Sequence, residues 1–584
     1  MITLRAVGVC CLTPYVLSQG MVFESRPGPL GSARSLVGDG RGGLLLAADD
    51  GVHGEELFRL DRSGGALLLD MVPGNVSSYP SVVGHADGRV FLSAAQAAPP
   101  NPNRLWSYNT VTAAHSVVSG TLGNPDRMAK TVSGWVLSGT DALHGRELWR
   151  TDGTAAGTIL LRDLWTGSTS SHPSGLSGNG SIALFTCSLA CSGEPWWTDG
   201  VNVQLLASLN PPSGSSAGSF TPFAGQWLFV AITNASGSEL WRTDGTAAGT
   251  SQVLDINPGS NGGVGSGLIP FGNRAVFRGF DGINNGVEPW VSDGTANGTH
   301  ILMDVAPGGA GSVPVLPDPS MFAAGDGVLL YLDDGTHGLE PWFSDGTAAG
   351  TWLLADINPG PGSSIPIPFF SGLQTALAIG MDRSLVFVAD TGTTGNEIWI
   401  TDGTPAGTFA LPEILPGNAS AEPRDFVRVG PNVFFTADDG MHGRELWAFP
   451  TAIARAAVTE TVSPPCAAGS AHPQITSKSL PRVGNQAFAI GVTDAPANAF
   501  AVLFASLDVQ EQQIGGCTFW PQLPALFAAT VTSASGSASL PVPIPAQPFL
   551  AGAQLWAQWG VVQLGGPVFS LVTPSDALFV QIGK

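Results

Sequence analysis

The chain has 584 residues, 77 of them Gly and 45 Pro, and only 12% are charged. So much Gly and Pro excludes a helix-rich protein, and 43% hydrophobic residues at low charge density exclude a disordered one. A net charge of −21 offers no footprint for phosphate backbones, so neither nucleic acid nor an anionic membrane surface is an expected partner.

Arg5, the apolar run Val7–Leu17 interrupted by Pro14, and the small residues Ser18 and Gly20 read as an export signal over residues 1–20. A buried first strand is the alternative. Residues 21–31 follow as a leader. No later segment has the ~18 unbroken apolar residues of a membrane helix. Cys10 and Cys11 leave with the signal, and Cys187, Cys191, Cys466 and Cys517 remain, an even number that suits an oxidising compartment. The expected disulfides are Cys466–Cys517 and Cys187–Cys191. The second pair lacks the further pair that a four-ligand zinc site needs.

From residue 32 to residue 460 the sequence repeats. The segment Glu147–Thr158 recurs unchanged at Glu239–Thr250, with close variants at Glu288–Thr299, Glu340–Thr351 and Glu397–Thr408. Weaker copies begin at Glu56, Glu194 and Glu445, and one is centred on Trp106. The aligned aromatics Phe58, Trp106, Trp149, Trp196, Trp241, Trp290, Trp342, Trp399 and Trp447 recur about every 49 residues, a propeller-blade period. Each unit holds four strand-like pieces, and Asp-Gly-Thr is the hairpin turn into the fourth. The expected fold is all-β: a propeller of about nine four-stranded blades in one ring, with two smaller rings or incomplete closure as alternatives. Ser463-Pro464-Pro465 falls in a linker over residues 461–472. Short apolar strands with Pro, Gly and Ser turns over residues 473–584 predict a small β-sandwich.

The repeat resembles the ELWxxDGT, or hyalin-like, unit of large secreted myxobacterial and planctomycete proteins. The tail resembles a planctomycete-type C-terminal domain through Gly515-Gly516-Cys517-Thr518, Leu555-Trp556-Ala557-Gln558-Trp559 and Asp576-Ala577-Leu578. The resemblance implies an extracellular repeat protein and no reaction. Two units depart from the pattern: Arg104 stands where Glu is expected, and Asp199-Gly200-Val201 lacks the Thr.

Eight units carry the Glu, and a carboxylate repeated eightfold argues for structure, each accepting backbone N–H bonds, rather than for catalysis. The Trp reads as a wedge between blades ahead of a sugar platform. The loops with Asp50 and His53, Asp141 and His144, Asp334 and His337, and Asp439 and His442 each place a Glu three residues further on. An Asp, a His and a Glu brought together could bind a metal, with calcium the cofactor considered and zinc favoured by the His. Turn capping is the alternative for the same residues. No nucleophile elbow, phosphate loop, His-Glu-x-x-His helix or dinucleotide fingerprint is present. The sequence therefore predicts a secreted or surface-displayed, monomeric, non-enzymatic scaffold that binds an extracellular glycan or surface protein. The alternatives are a carbohydrate-active enzyme with its site in the propeller channel, or a purely structural envelope component. The discriminator is asymmetry: an enzyme needs one blade with polar groups the others lack.

Overall fold

A computed structural model describes residues 20–25, 31–39, 42–60, 66–86, 88–97, 102–188, 191–265, 267–282, 286–309, 311–313, 321–324, 327–364, 378–381, 384–430, 432–451, 458–462, 473–478, 488–506, 509–514, 517–521, 526–544, 554–562 and 572–581. They form two compact units, chiefly Gln19–Ala448 and Phe449–Lys584.

The first unit is a β-propeller with nine blades among the described residues. In blade one, Arg34–Gly38, Leu44–Asp49, Glu55–Leu60 and Ala66–Leu69 pair antiparallel in that order. Blade five repeats it with Gly218–Phe223, Gln226–Thr233, Gly237–Thr243 and Ser251–Leu254. The innermost strands touch in turn around the axis: Arg34–Gly38, Ser81–Ala86, Gly123–Thr131, Pro173–Gly178, Gly218–Phe223, Ile269–Phe271, Met321–Ala324, Ala378–Met381 and Arg424–Val429, which meets Arg34–Gly38 again. The ring is therefore single and closed. Second strands are apolar throughout because both faces pack on neighbouring blades; Leu44 to Ala48 and Val328 to Leu332 are all buried.

The segment expected to be a leader is part of this ring. The ninth unit has no Asp-Gly-Thr turn after Trp447, so it makes no outer strand of its own. Gly20–Phe23 supplies one, with Gly20 opposite Ala448 and Met21 opposite Trp447. Gly31–Ser32 adds a short parallel pairing to Gly443 and Arg444. Residues 1–19, with most of the expected signal, lie outside the described residues.

The repeated Glu fixes the angle of each blade to the next. It sits on the third strand, fully or nearly buried, and accepts N–H bonds from the loop that leaves the fourth strand. Glu56 takes Met71 N at 2.9 Å, Ser78 N at 3.0 Å and Ser78 Oγ at 2.7 Å. Glu147 takes Leu164 N, Ser171 N and Ser171 Oγ; Glu194 takes Leu209 N, Asn210 N and Ser215 Oγ; Glu239 takes Ile256 N, Asn257 N and Gly263 N. Glu288 and Glu340 repeat the pattern, and Glu397 keeps the bond from Ile414 N through Oε2 while its buried Oε1 has no partner among the described residues. At the seam Glu445 reaches Ser25 instead, N at 2.8 Å and Oγ at 3.0 Å. In blade two, Arg104 cannot accept these bonds. There the next blade's first strand pairs directly with the third strand at Gly123 and Arg104, merging blades two and three into one eight-stranded sheet.

The Asp-Gly-Thr turns are hairpin chemistry. Asp152 Oδ1 accepts Thr154 N at 2.8 Å and Thr154 Oγ1 at 2.7 Å, and the same pair of bonds forms at Asp244, Asp293, Asp345 and Asp402. In blade four Asn202 does the work of the missing Thr, donating its backbone and side-chain N–H groups to Asp199.

The second unit begins before the expected boundary of residue 473. Val458–Val462, divided by the expectation between propeller and linker, pairs antiparallel with the last strand, Val572–Gln581. That last strand continues into a sheet with Gln554–Val562, Phe500–Ser506 and Leu526–Val531. A three-stranded sheet, Gln474–Lys478, Ala489–Thr493 and Ala538–Pro541, shares its core, where Ile490 and Val492 meet Leu503 and Trp559. Trp559 Nε1 donates to Gly491 O at 3.0 Å across the two sheets. Cys466 lies outside the described residues, and with it the expected Cys466–Cys517 bridge. Among the described residues no helix is long and apolar enough to cross a membrane.

Candidate functional site

The loop between the second and third strands and the loop leaving the fourth strand meet on one face of the propeller, as bonds from Glu55 N to Ser77 Oγ at 2.9 Å and from Arg146 N to Ser170 Oγ at 2.8 Å show. All eight Asp and His residues expected as metal ligands lie on this face, and they assemble as four pairs, not as triads. His53 Nδ1 is 2.7 Å from Asp50 Oδ2, His144 Nδ1 2.8 Å from Asp141 Oδ2, His337 Nδ1 2.7 Å from Asp334 Oδ2, and His442 Nδ1 2.6 Å from Asp439 Oδ2. The other oxygen of each Asp accepts the N–H groups of the loop, as Asp50 Oδ1 does from Val52 and His53. The expected third ligand is drawn inward: Glu56, Glu147, Glu340 and Glu445 are committed to the outgoing loops. Among the described residues no group of three or more His, Cys, Asp or Glu is placed to hold a metal ion.

The hydrogen bond to Asp raises each His above its ordinary pKa, and Asp70, Asp163, Asp356 and Glu24 of the neighbouring segments reinforce it. Burial alone would push the four Asp up, but the loop N–H groups and the imidazole outweigh it and lower them.

Comparison of blades shows what the pair does. Six and three residues before the Glu, blade five carries Thr233 and Ser236, and blade eight carries Thr391 and Thr394. Their hydroxyls meet at 2.8 Å and 2.7 Å. In blade four the same loop is closed by a disulfide between Cys187 and Cys191, whose Cα atoms are 5.1 Å apart. An ion pair, a hydroxyl pair and a disulfide serve one purpose, so the pairs are loop locks. Replacing both cysteines with Ser should cost about 2 kcal/mol by loop-closure entropy, read as a lower denaturant midpoint, while the propeller stays folded.

Three features of blade five fall at one place, and the second of them is found in no other blade. First, Ser236 stands where four blades carry an imidazole, which removes bulk from the loop. Second, Gln252 is paired across the sheet with Trp241. In the other eight blades the residue opposite the aromatic is apolar: Met21, Leu68, Val117, Leu160, Leu205, Ile301, Leu353 and Ala410. Third, Asp255 is exposed and accepts no hydrogen bond among the described residues; the matching Asp304 of blade six is in the same state, whereas Asp163 and Asp356 accept N–H bonds from Gly167 and Gly360. The result is a cleft of about 620 Å³ lined by Leu209, Pro211 and Trp241 together with Asn234, Gln252 and Asp255. Its polar groups are partly ordered: Asn210 Oδ1 accepts Asn234 N at 3.0 Å, and Ser236 Oγ bonds Gln252 Oε1 at 3.1 Å. Trp241 is half-buried, so this copy of the repeated aromatic lines a site as well as wedging the blades.

A second carboxyl lies nearby. Burial pushes Glu239 up to about 7 against the three N–H groups it accepts, and Asp255 raises it further. That combination does not mark a catalytic acid, because burial also holds Glu340 and Glu397 at about 7 in blades that lack the cleft.

No family model and no curated protein matches the chain. Among solved structures it is similar to a puromycin hydrolase (14% identity, TM-score 0.35, over 73% of this chain and 62% of that one). It is also similar to an oligogalacturonate lyase in complex with manganese (14%, 0.30, 52% and 85%) and to Saccharomyces cerevisiae Sqt1 (14%, 0.34, 64% and 96%). The chain thus spans less than two thirds of the hydrolase's length. These neighbours include a hydrolase and a lyase, and the expectation of a non-enzymatic binding or adhesion scaffold is withdrawn against them. Its premise, sameness from blade to blade, fails separately at blade five.

Proposed function

We propose that the propeller has one working site, the cleft of the fifth blade, and that it takes a polar organic ligand there with Asp255 as the one carboxylate free to act on it. The observation that carries this reading is Gln252, a hydrogen-bonding side chain at a position that is apolar in every other blade. A solvent-open groove of this volume with an aromatic side chain beside several polar groups suits a small polar ligand. A thermal-shift screen of sugars, amino acids and nucleosides, run on wild type and on Gln252→Leu, tests it. The expected result is a ligand-induced rise in melting temperature that Gln252→Leu abolishes while keeping the unliganded value within about 1 kcal/mol of stability. Assay of each hit for turnover, with Asp255→Asn as control, then reads whether the carboxylate does chemistry. Export and membership of the ELWxxDGT repeat type remain part of the proposal, supported by the recurring Glu-Leu-Trp and Asp-Gly-Thr segments and by the Cys187–Cys191 disulfide.

A further inference from the structure

Resting on the reading that the fifth-blade cleft is a ligand site, we infer that its ligand is a neutral oligosaccharide and that acidic sugars are rejected. The lining contains no Lys, Arg or His, so nothing in it can balance a phosphate, sulfate or uronate. The one charge present is the unpaired Asp255 carboxylate, on a chain of net charge −21, and both repel an anion. The polar groups suit hydroxyls: an ionised carboxylate accepts from two neighbouring O–H groups, while the amides of Asn234 and Gln252, which give one N–H each to Ser213 Oγ and Leu254 O, keep a second N–H to donate. Beside them Leu209, Pro211 and half-buried Trp241 offer apolar surface to the C–H face of a pyranose ring. A sugar ring likewise joins an apolar face to a hydroxyl edge. The cleft meets solvent at exposed Pro211, Asn234 and Asp255, which leaves room for a ligand longer than one ring.

Calorimetric titration of the full chain with cellohexaose, mannohexaose, hexagalacturonate and hexaglucosamine tests the class. The expected result is saturable binding of at least one neutral hexasaccharide, with hexagalacturonate at least about tenfold weaker. Asp255→Asn should weaken the neutral ligand about tenfold and narrow its advantage over hexagalacturonate, since it exchanges one charged acceptor oxygen for a donor and removes the repulsion. Equal or tighter binding of hexagalacturonate, binding of hexaglucosamine alone, or an unchanged neutral affinity in Asp255→Asn would overturn the inference. Gln252→Leu separates it from the underlying reading. If an acidic or basic probe binds and Gln252→Leu abolishes that binding, the cleft stands as a site and the ligand class is wrong. If Gln252→Leu leaves all binding intact, the cleft itself is wrong.

Discussion

Glu445→Ala should destabilise the full chain more than the same change in any other blade. In blade seven, Glu340→Ala strands the N–H groups of Ile357 and Asn358, at about 1–3 kcal/mol for each orphaned buried donor. The loop that carries them is still covalently joined to the blades on both sides. At the seam the donors belong to Ser25, in the segment that follows the closing strand Gly20–Phe23, and nothing covalent links that strand to the ninth blade. Losing the carboxylate there frees a strand as well as two hydrogen bonds, and an open ring exposes two blade faces. We expect Glu340→Ala to lower the melting temperature modestly. Glu445→Ala should lower it further and make residues 20–25 sensitive to protease at temperatures where Glu340→Ala is resistant. Equal loss in the two variants would mean that closure does not depend on this tie.

Stability should fall as pH rises from about 5 to 8. Glu239, Glu340 and Glu397 have folded-state values near 7, above their ordinary range, so the folded chain holds protons that the unfolded chain has released. Stability from these groups is complete below about 4.5 and is lost as pH rises through 7. The four paired His residues are also raised, so their contribution is present below about 6.5 and is lost above it. Their Asp partners are lowered, and their share is lost only as pH falls below about 4. Between 5 and 8 the raised groups therefore act in one direction, and the growing negative charge of the chain adds to them. Melting temperatures measured across this range should decline, and Glu239→Gln should flatten the decline. A melting temperature that climbs from pH 5 to pH 8 would show that the carboxylates are ionised in the fold at little cost.

The repeat made the ring legible because period, turn chemistry and apolar second strands all pointed to the same blade. The seam was hidden: Gly-Met-Val-Phe carries no repeat motif, and its partner lies more than 400 residues away. The missing Asp-Gly-Thr after Trp447 was the available signal that the last blade needed a strand from elsewhere. The site was obscured for the opposite reason. Attention went to the Asp–His loops because they recur, and recurrence turned out to mark loop locks. Gln252 was visible to an alignment on the Trp, eleven residues on, as one amide in a column of apolar residues. Asp255 was not, since matching acids occur in other blades, and it is its place beside Gln252 that marks it out.

Hydrogen exchange of the full chain with and without a saturating neutral hexasaccharide tests the central claim of a single specialised blade most directly. Protection confined to peptides spanning residues 209–213, 233–237 and 251–256 is the result predicted here. Equal protection at the matching loops of other blades, such as residues 50–54, 141–145 and 334–338, would contradict it and point to a surface repeated around the ring.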